Sequence, residues 1–474
     1  MQVVTASDHR ERDDRWSVSA FAAPEAADRL EGAGLEVRTL QPAEEVRRSW
    51  VEAAPVTEDV VARGVEPDGY LTYSAVEAAV RRLADAHQEV CERLELPYPT
   101  HEGRRVSCLR IGAGEAEAPG VLVLGGVHAR EWAPPDGLVS FAAALLEAYD
   151  ERAAMRHPEW IDRTVRPPIP YTAWEEPAAE VRRVVEGVRL FIAPLVNPDG
   201  RDFSLAPLLP DTPDDELTLH RMWRKNRRPA PDGASDPWCA GVDLNRNFDI
   251  AWDYERYYDR DAATQVACSK DACDPQVFIG PDPASEPETR NVQELVDRER
   301  IAYFMDVHSF SRRILFPWGM DDDQAEEPEM SFANTTWDRG GPRGGRDGKG
   351  GVYGEYLPAE AHARQQVLAE ALREAILRSA GPDERAARRS AYEVKQELGL
   401  YPTTGNSNDY CFSRPLLDST RPPAFSFCLE CGIDQAPGDP GDAEGGFQPD
   451  RYRKFPKIER EVHAAVFALL KAAS

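Results

Sequence analysis

Two apolar runs in this chain end directly at side chains that can bind a metal ion. The first run, Val121 to Leu124, is followed by GGVHARE from Gly125. The second run, Ile301 to Val307, is followed by His308. A continuous apolar run bounded by glycine is typical of a strand buried on both faces, as in a parallel sheet. The ends of such strands meet at one edge of the sheet, where α/β proteins place their chemistry.

The apolar pattern predicts further helices and strands around these two strands. Apolar residues three to four positions apart indicate a helix, whereas alternating apolar and polar residues or a short continuous apolar run indicate a strand. The expected helices are one that starts near Ser74 and others at Gly137–Tyr149, Ala359–Ser379 and Lys457–Ala472. Further strands are expected at Leu190–Val196 and Ala424–Glu430. Ser74 and Glu77 match a capping box. Alternation in the last strand places Cys428 and Glu430 on one of its faces, opposite Phe427 and Leu429.

The domain organisation is predicted to be one large α/β unit, residues 66–474, preceded by a small segment, residues 1–65. The small segment contains two possible strands, Trp16–Ala22 and Leu35–Leu40, with a helix candidate between them. Three stretches are expected to be insertions: near 160–180, which is rich in proline, 205–216 and 321–357. The last is acidic and then rich in glycine, so we expect a mobile loop or lid beside the cleft.

Composition adds a strong negative charge to this picture. The 474 residues include 56 Lys and Arg against 83 Asp and Glu, which gives a net charge of -27. Such a surface repels phosphates and anionic lipids, so neither nucleic acid nor a membrane is an expected partner. The first residues lack the basic and apolar regions of a signal peptide, which predicts a cytoplasmic location. Eight cysteines are too few for a disulfide scaffold in a chain of this length.

The candidate chemistry is a zinc site made by His128, Glu131 and His308. A catalytic zinc takes three such protein ligands and keeps one position open for water. The His128-x-x-Glu131 pattern is weak alone, because a surface pair arises easily by chance, and a single histidine after a strand is usually structural. The occurrence of both at neighbouring strand ends favours the metal site.

Seven ordered motifs make the chain resemble the M14 zinc carboxypeptidases of the A/B type, over residues of about 68 to 474. They are GGVHAREWAPP from Gly125, NPDG from Asn197, RMWRKNR from Arg221, GVDLNRNF from Gly241, FMDVHSFS from Phe304, YPTTGNSNDY from Tyr401 and FSFCLE from Phe425. The resemblance implies a central mixed, largely parallel eight-stranded sheet flanked by helices. It also implies one Zn²⁺ ion and hydrolysis of C-terminal peptide bonds.

The resemblance assigns two catalytic roles. Glu430 matches the general base, although from alternation alone it is as readily an exposed strand residue. Arg224 matches the cation that stabilises the oxyanion, a role worth a few kcal/mol of barrier. Its neighbours Lys225, Arg227 and Arg228 are chemically similar, so only the motif alignment selects Arg224.

The resemblance also assigns substrate contacts. Asn245 and Arg246 match the clamp for the free α-carboxylate, a group that guanidinium binds through paired hydrogen bonds. Tyr401 matches the mobile capping tyrosine, and Arg130 matches a further substrate contact. Asn408 stands where relatives carry an apolar residue or Asp for the specificity pocket, near Asn406 and Cys428. A neutral amide weakens the expectation of Lys or Arg specificity and suggests a broad or polar preference. Asp243 matches the carboxylate that orients His128.

Several alternatives stay open at this point. The same fold could act on peptidoglycan peptides or other amides, and a catalytically silent zinc-binding module is a second alternative. Residues 1–65 could be pro-domain-like or merely structural. Cys239 would pair with Cys273 or Cys268 if relatives are a guide. Many relatives are secreted, so export remains an alternative to the cytoplasm, and the oligomeric state is undetermined.

Overall fold

An eight-stranded mixed sheet forms the centre of the computed structural model. The structure describes residues 69–114, 117–339, 346, 353–432, 446–451 and 453–474, with residues 4–10, 16–21, 29–37, 44, 47, 48, 50, 55 and 56 before them. The strands of the sheet are β1 (Cys91–Glu95), β2 (Ser107–Ile111), β3 (Gly120–Gly125), β4 (Arg189–Ala193), β5 (Ile301–His308), β6 (Arg313–Phe316), β7 (Glu393–Gln396) and β8 (Phe425–Glu430).

The strands lie in the order β7-β6-β8-β5-β3-β4-β2-β1. The four central strands, β8, β5, β3 and β4, are parallel to one another, as are β6 and β7. The pairs β6–β8, β4–β2 and β2–β1 are antiparallel. The prediction of a mixed eight-stranded sheet flanked by helices is therefore confirmed.

Helices cover both faces of the sheet. The longer ones are α1 (Tyr73–Ala86), α2 (Ala133–Asp150), α3 (Ala178–Gly187), α4 (Pro198–Ser204), α5 (Asp214–Arg221), α6 (Pro287–Arg298), α7 (Ala359–Ala380), α8 (Ser407–Leu417) and α9 (Phe455–Ala473). Val121 and Val123 of β3 share one apolar core with α2, α7 and α9. Leu122 and Leu124 share the opposite core with α6 and α8. Burial on both faces explains the continuous apolar run of β3.

The start of α1 differs from its predicted capping box. Thr72 is the N-cap, and its side chain accepts a hydrogen bond from the Ala75 amide. Glu77 turns to the sheet instead, where its carboxylate accepts hydrogen bonds from Ser107 Oγ at 2.6 Å and from Arg93 Nη2 at 3.0 Å. Tertiary contacts of Glu77 therefore replace the local contact that the sequence predicted.

The first predicted insertion forms two small antiparallel ribbons outside the main sheet. Met155–His157 pairs with Trp174–Glu176, and Trp160–Asp162 pairs with Ile169–Tyr171. No residue of these ribbons joins the central sheet, as expected from the prolines. The second insertion leads into α5.

The third insertion differs from the expected mobile loop in its described part. Met330, Trp337 and Tyr353 form a small buried cluster. The Arg346 guanidinium is also buried and lies 3.7 Å from the centroid of the Tyr257 ring. These contacts give the segment an apolar and cation–π anchor that its overall composition conceals.

The described part of the N-terminal segment contains an antiparallel pair, Val4–Arg10 with Trp16–Phe21. Residues 35–37 are not a strand, and residues 38–40 of that prediction lie outside the described residues. Other short elements are the strands Pro55–Val56, Tyr70–Leu71, Asp323–Gln324 and Glu355–Tyr356, the helices Tyr254–Tyr257, Arg260–Ala263 and Glu384–Arg389, and the 3-10 turns Pro237–Cys239, Leu244–Arg246, Thr335–Trp337 and Glu397–Gly399. Among the described helices, none has both the length and the apolar character needed to cross a bilayer.

Candidate active site

The three predicted metal ligands lie at the ends of β3 and β5, which are parallel neighbours. His308 is the last residue of β5, and His128 and Glu131 follow the turn after β3. Gly126 makes this turn with a φ of 63°, and a Cβ atom there would lie 2.8 Å from Leu195 Cδ1. Glycine adopts this left-handed conformation without strain. The turn therefore depends on glycine to carry the chain from the buried strand to the ligands.

The donor atoms of the three ligands converge within the protein. His128 Nδ1 lies 2.7 Å from Glu131 Oε1, and His308 Nδ1 lies 3.0 Å from His128 Nδ1 and 3.1 Å from Glu131 Oε2. All three side chains are buried. Two imidazoles and one carboxylate with this spacing match the donor set of a catalytic zinc.

Each imidazole has a carboxylate behind it. His128 Nε2 lies 3.3 Å from Asp243 Oδ1, and His308 Nε2 lies 3.1 Å from Asp306 Oδ2. Such partners fix the ring so that the other nitrogen is directed to the metal. Asp243 was predicted in this role, whereas Asp306 was missed. The sequence carried a signal for it, because Asp306 and His308 are two positions apart in a strand and share a face.

Local charges favour the metal-binding protonation state at His128 and Glu131, whereas at His308 burial opposes protonation but Asp306 and Glu131 outweigh it and raise the pKa of the imidazole. Burial, followed by the Arg224 guanidinium, lowers the pKa of His128. Burial opposes ionisation of Glu131, but the two imidazoles outweigh it and lower the pKa of its carboxyl group. The cluster therefore favours a neutral imidazole at His128 and a carboxylate at Glu131.

Glu430 lies on β8, in register with His308 of the neighbouring β5. Its side chain lines the same cleft as His128 and His308. Burial raises the pKa of Glu430 to about 7, although His308 acts in the opposite direction. Phe427 and Leu429 face the core, as the alternation predicted. A carboxyl group with this pKa can both accept and donate a proton near neutral pH.

The structure separates Arg224 from its basic neighbours. Arg224 lines the cleft, where its Nε donates to Asp243 Oδ2 at 2.8 Å. Lys225 is buried and donates to the carbonyl oxygens of Trp238 and Asp274. Arg227 and Arg228 are likewise used elsewhere, Arg227 over the Phe203 and Trp223 rings and Arg228 in an ion pair with Glu286. Arg224 is therefore the member of this segment that reaches the candidate metal ligands.

The predicted carboxylate clamp lies on another wall of the cleft. Arg246 Nε donates to the Ala267 carbonyl at 2.7 Å, and Nη1 donates to the Asn245 carbonyl at 2.6 Å. Asn245 Oδ1 accepts a hydrogen bond from the Ser407 amide. Tyr401 is 40% exposed, and its ring centroid lies 6.0 Å from the Arg246 guanidinium carbon. Two of the three guanidinium nitrogens are thus fixed by backbone, which orients the third, Nη2.

Two predicted substrate contacts are less accessible. Arg130 is buried, donates to Gln276 Oε1 at 2.6 Å and lies over the Phe447 ring, and it is not among the residues that line the cleft. Asn408 is buried in the first turn of α8, where its Nδ2 donates to Glu397 Oε2 at 2.9 Å. Glu397, which does line the cleft, was not found from the sequence.

The structure distinguishes between the two possible disulfide partners of Cys239. Cys239 is bonded to Cys273, while Cys268 is free and lies beside Thr404. Cys428 and Cys431 are both free thiols. The CxxC spacing around Glu430 therefore does not form a disulfide in this structure.

The fold and the site define a class: α/β proteins that carry a candidate zinc site of two histidines and one glutamate at the ends of neighbouring parallel strands. The family comparison specifies it further, because the model of the zinc carboxypeptidases, peptidase family M14, matches residues 76–462. The chain therefore belongs to the zinc carboxypeptidase family.

Relatives and solved structures agree with this family. Carboxypeptidase B of Astacus astacus is 26% identical over 54% of this chain and 67% of its own length. Zinc carboxypeptidase A 1 of Anopheles gambiae is 27% identical over 53% of this chain and 45% of its own length. Human carboxypeptidase O is 24% identical over 58% of this chain and 62% of its own length. The match thus spans about half to two thirds of these relatives.

Two solved structures share the fold. Thrombin-activatable fibrinolysis inhibitor has a TM-score of 0.63 at 17% identity, covering 97% of this chain and 88% of that chain. Carboxypeptidase A of Helicoverpa armigera has a TM-score of 0.58 at 20% identity, covering 94% of this chain and 85% of that chain. At these identities the likeness concerns the fold.

Proposed function

We propose that this protein is a zinc-dependent carboxypeptidase that hydrolyses the C-terminal peptide bond of peptides or proteins. One observation carries the proposal: Glu430, Arg224 and Arg246 line the same cleft as the imidazoles of the candidate zinc site. A silent zinc-binding module would not need a base, an oxyanion cation and a carboxylate clamp in one place.

The positions of the side chains support the roles that we propose for them. Bound zinc supplies a Lewis acid and lowers the pKa of a water molecule. Glu430 accepts a proton from the attacking water and returns it to the leaving amine. Arg224, held by Asp243, faces the carbonyl oxygen where negative charge develops.

Selection of the chain end follows from Arg246. Its Nη2 nitrogen makes no hydrogen bond within the described residues and can donate to a free α-carboxylate. We propose that Tyr401, which is exposed and lies near Arg246, covers a bound residue. A blocked C-terminus offers no carboxylate to this cation, so the enzyme is expected to reject it.

The test compares peptides with free and amidated C-termini, using zinc-loaded protein. We expect hydrolysis of the free peptides, and Glu430→Gln should reduce kcat by roughly 10²- to 10⁴-fold. Zinc content and melting temperature should stay unchanged in this variant. Glu384→Gln, a surface change on a different element, is the matched control. Equal cleavage of amidated peptides would exclude the carboxypeptidase assignment.

A further inference from the structure

We propose that Glu397, together with Asn408, binds the positively charged side chain of a C-terminal lysine or arginine. This inference rests on the proposed function and names the substrate class of the same cleft. It differs from the expectation drawn from Asn408 alone, because the carboxylate comes from another part of the chain.

Glu397 reaches the cleft from the turn that follows β7. Its side chain lines the cleft together with Arg246, Tyr401 and Cys428. The residue is only 7% exposed. A C-terminal residue held by Arg246 would therefore place its own side chain next to this carboxylate.

The Glu397 carboxylate forms no ion pair within the part of the chain that the structure describes. Its one hydrogen bond there is the 2.9 Å contact from Asn408 Nδ2, which is a neutral donor. Burying a carboxylate without a cation is costly, so a bound cation would recover free energy at this point.

Asn408 provides a second, independent acceptor. Its side chain is 1% exposed, and Oδ1 has no hydrogen-bond partner among the described residues. Asn408 Nδ2 already donates a hydrogen bond to Glu397. The side-chain oxygen of Asn408, Oδ1, therefore lies beside the same carboxylate. An ammonium or guanidinium group carries several N–H donors and can satisfy both oxygens.

The surrounding charges favour a cation over an anion. Asp306 and Asp409 are buried carboxyl groups near Glu397. Burial and Asp306 raise the pKa of Glu397, and burial and Glu397 in turn raise the pKa of Asp409. Arg246 and His308 act on Glu397 in the opposite direction, but in the proposed function Arg246 binds the α-carboxylate and His308 binds the metal. Leu315 and Leu400 also line the cleft and suit the aliphatic stem of a long side chain. Carboxylate clamp and acidic pocket together match the two charges of a C-terminal basic residue.

The first experiment uses peptides that differ only in the last residue: Lys, Arg, Phe, Leu, Gln or Glu. We expect kcat/KM for Lys and Arg to exceed that for the neutral residues by roughly 10-fold or more, with Glu the poorest. Glu397→Gln should remove most of this preference, measured as the ratio of kcat/KM for the Lys peptide to kcat/KM for the Phe peptide. Glu384→Gln, the surface control, should keep it. Equal or better cleavage of Phe, Gln or Glu peptides by the wild type would overturn the inference.

The second experiment needs neither turnover nor a variant. Calorimetry of zinc-loaded wild-type protein compares free lysine with norleucine, which has the same stem without the ammonium group. Tighter binding of lysine, by roughly 10-fold, is expected. Equal binding of both would overturn the inference even if peptides are cleaved. If no free C-terminus is hydrolysed but lysine binds preferentially, the proposed function fails and the pocket assignment stands.

Discussion

At the scale of single residues, the site is defined as much by the neighbours of the metal ligands as by the ligands. Asp306 lies behind His308, with Oδ2 3.1 Å from His308 Nε2, and the same Oδ2 accepts a hydrogen bond from Ser407 Oγ at 2.6 Å. The aspartate is fully buried. A buried carboxylate with two such contacts holds the imidazole in one orientation.

The change Asp306→Asn tests this role. We expect the affinity for zinc to fall by roughly 10- to 100-fold, because the amide holds the imidazole less firmly and does not increase its basicity. Competition with a chromophoric chelator measures the affinity, and circular dichroism checks the fold. The exposed Asp261→Asn is the control. An unchanged zinc affinity in Asp306→Asn would show that His308 needs no such partner.

At the scale of elements, a histidine pair joins the strand Met155–His157 to the C-terminal helix, with His463 buried and His157 half-buried. His157 Nε2 lies 2.8 Å from His463 Nδ1 of α9, and His463 Nε2 lies 2.9 Å from Ser140 Oγ of α2. Burial, followed by His463, lowers the pKa of His157 to about 3. Burial also lowers the pKa of His463 to about 3. The contact therefore requires neutral imidazoles.

This pair predicts a loss of stability in mild acid. Because the folded pKa values lie below the ordinary 6.5, the unfolded chain binds more protons, and stability falls as the pH drops below about 6.5. The cost is about 2 kcal/mol per imidazole at pH 5.

Melting temperatures measured between pH 7 and pH 5 check this. His157→Phe keeps a ring against Trp174 and removes one titrating group, so its melting temperature should fall less over that range than that of the wild type. The surface variant Glu384→Gln, on a different element, should behave as the wild type does. A pH dependence that is identical in all three proteins would contradict the assignment.

At the scale of the whole molecule, the Cys239–Cys273 disulfide closes a loop between residues 34 positions apart in the sequence. This loop contains Asn245 and Arg246, which line the cleft. Lys225 donates to the carbonyl oxygens of Trp238 and Asp274, which stand next to the two cysteines. Disulfides persist in oxidising compartments. The bond therefore gives no support to the cytoplasmic location that the sequence predicted.

Removal of this bond by Cys239→Ser should lower the free energy of unfolding by roughly 2–4 kcal/mol, since the closed loop restricts the unfolded chain. Denaturant titration measures the change. Cys268→Ser, which affects a free thiol, should have a much smaller effect. Peptide mapping that links Cys239 to Cys268 would contradict the pairing.

The strand ends explain how much of the fold and of the candidate zinc site was visible in the sequence. Val121 to Leu124 must be apolar because both faces of β3 are buried, and His128 and Glu131 follow it within a few residues. Such local patterns are readable in one dimension. The ends of α7 and α9 were predicted to within about two residues, whereas α2 begins at Ala133 rather than Gly137, and Thr72 rather than Ser74 caps α1.

The sequence by itself determined the four central strands, the three candidate ligands and the basic segment that contains Arg224, since each is encoded by neighbouring residues. Only the tertiary structure decided that Cys273 rather than Cys268 pairs with Cys239 and that Glu397 stands beside Asn408. It also places Arg224 rather than Lys225 at the cleft, which the residues of the segment alone did not distinguish. These are contacts between different elements. Their partners are set by how the helices and loops pack on the sheet, and this packing leaves no periodic trace along the chain.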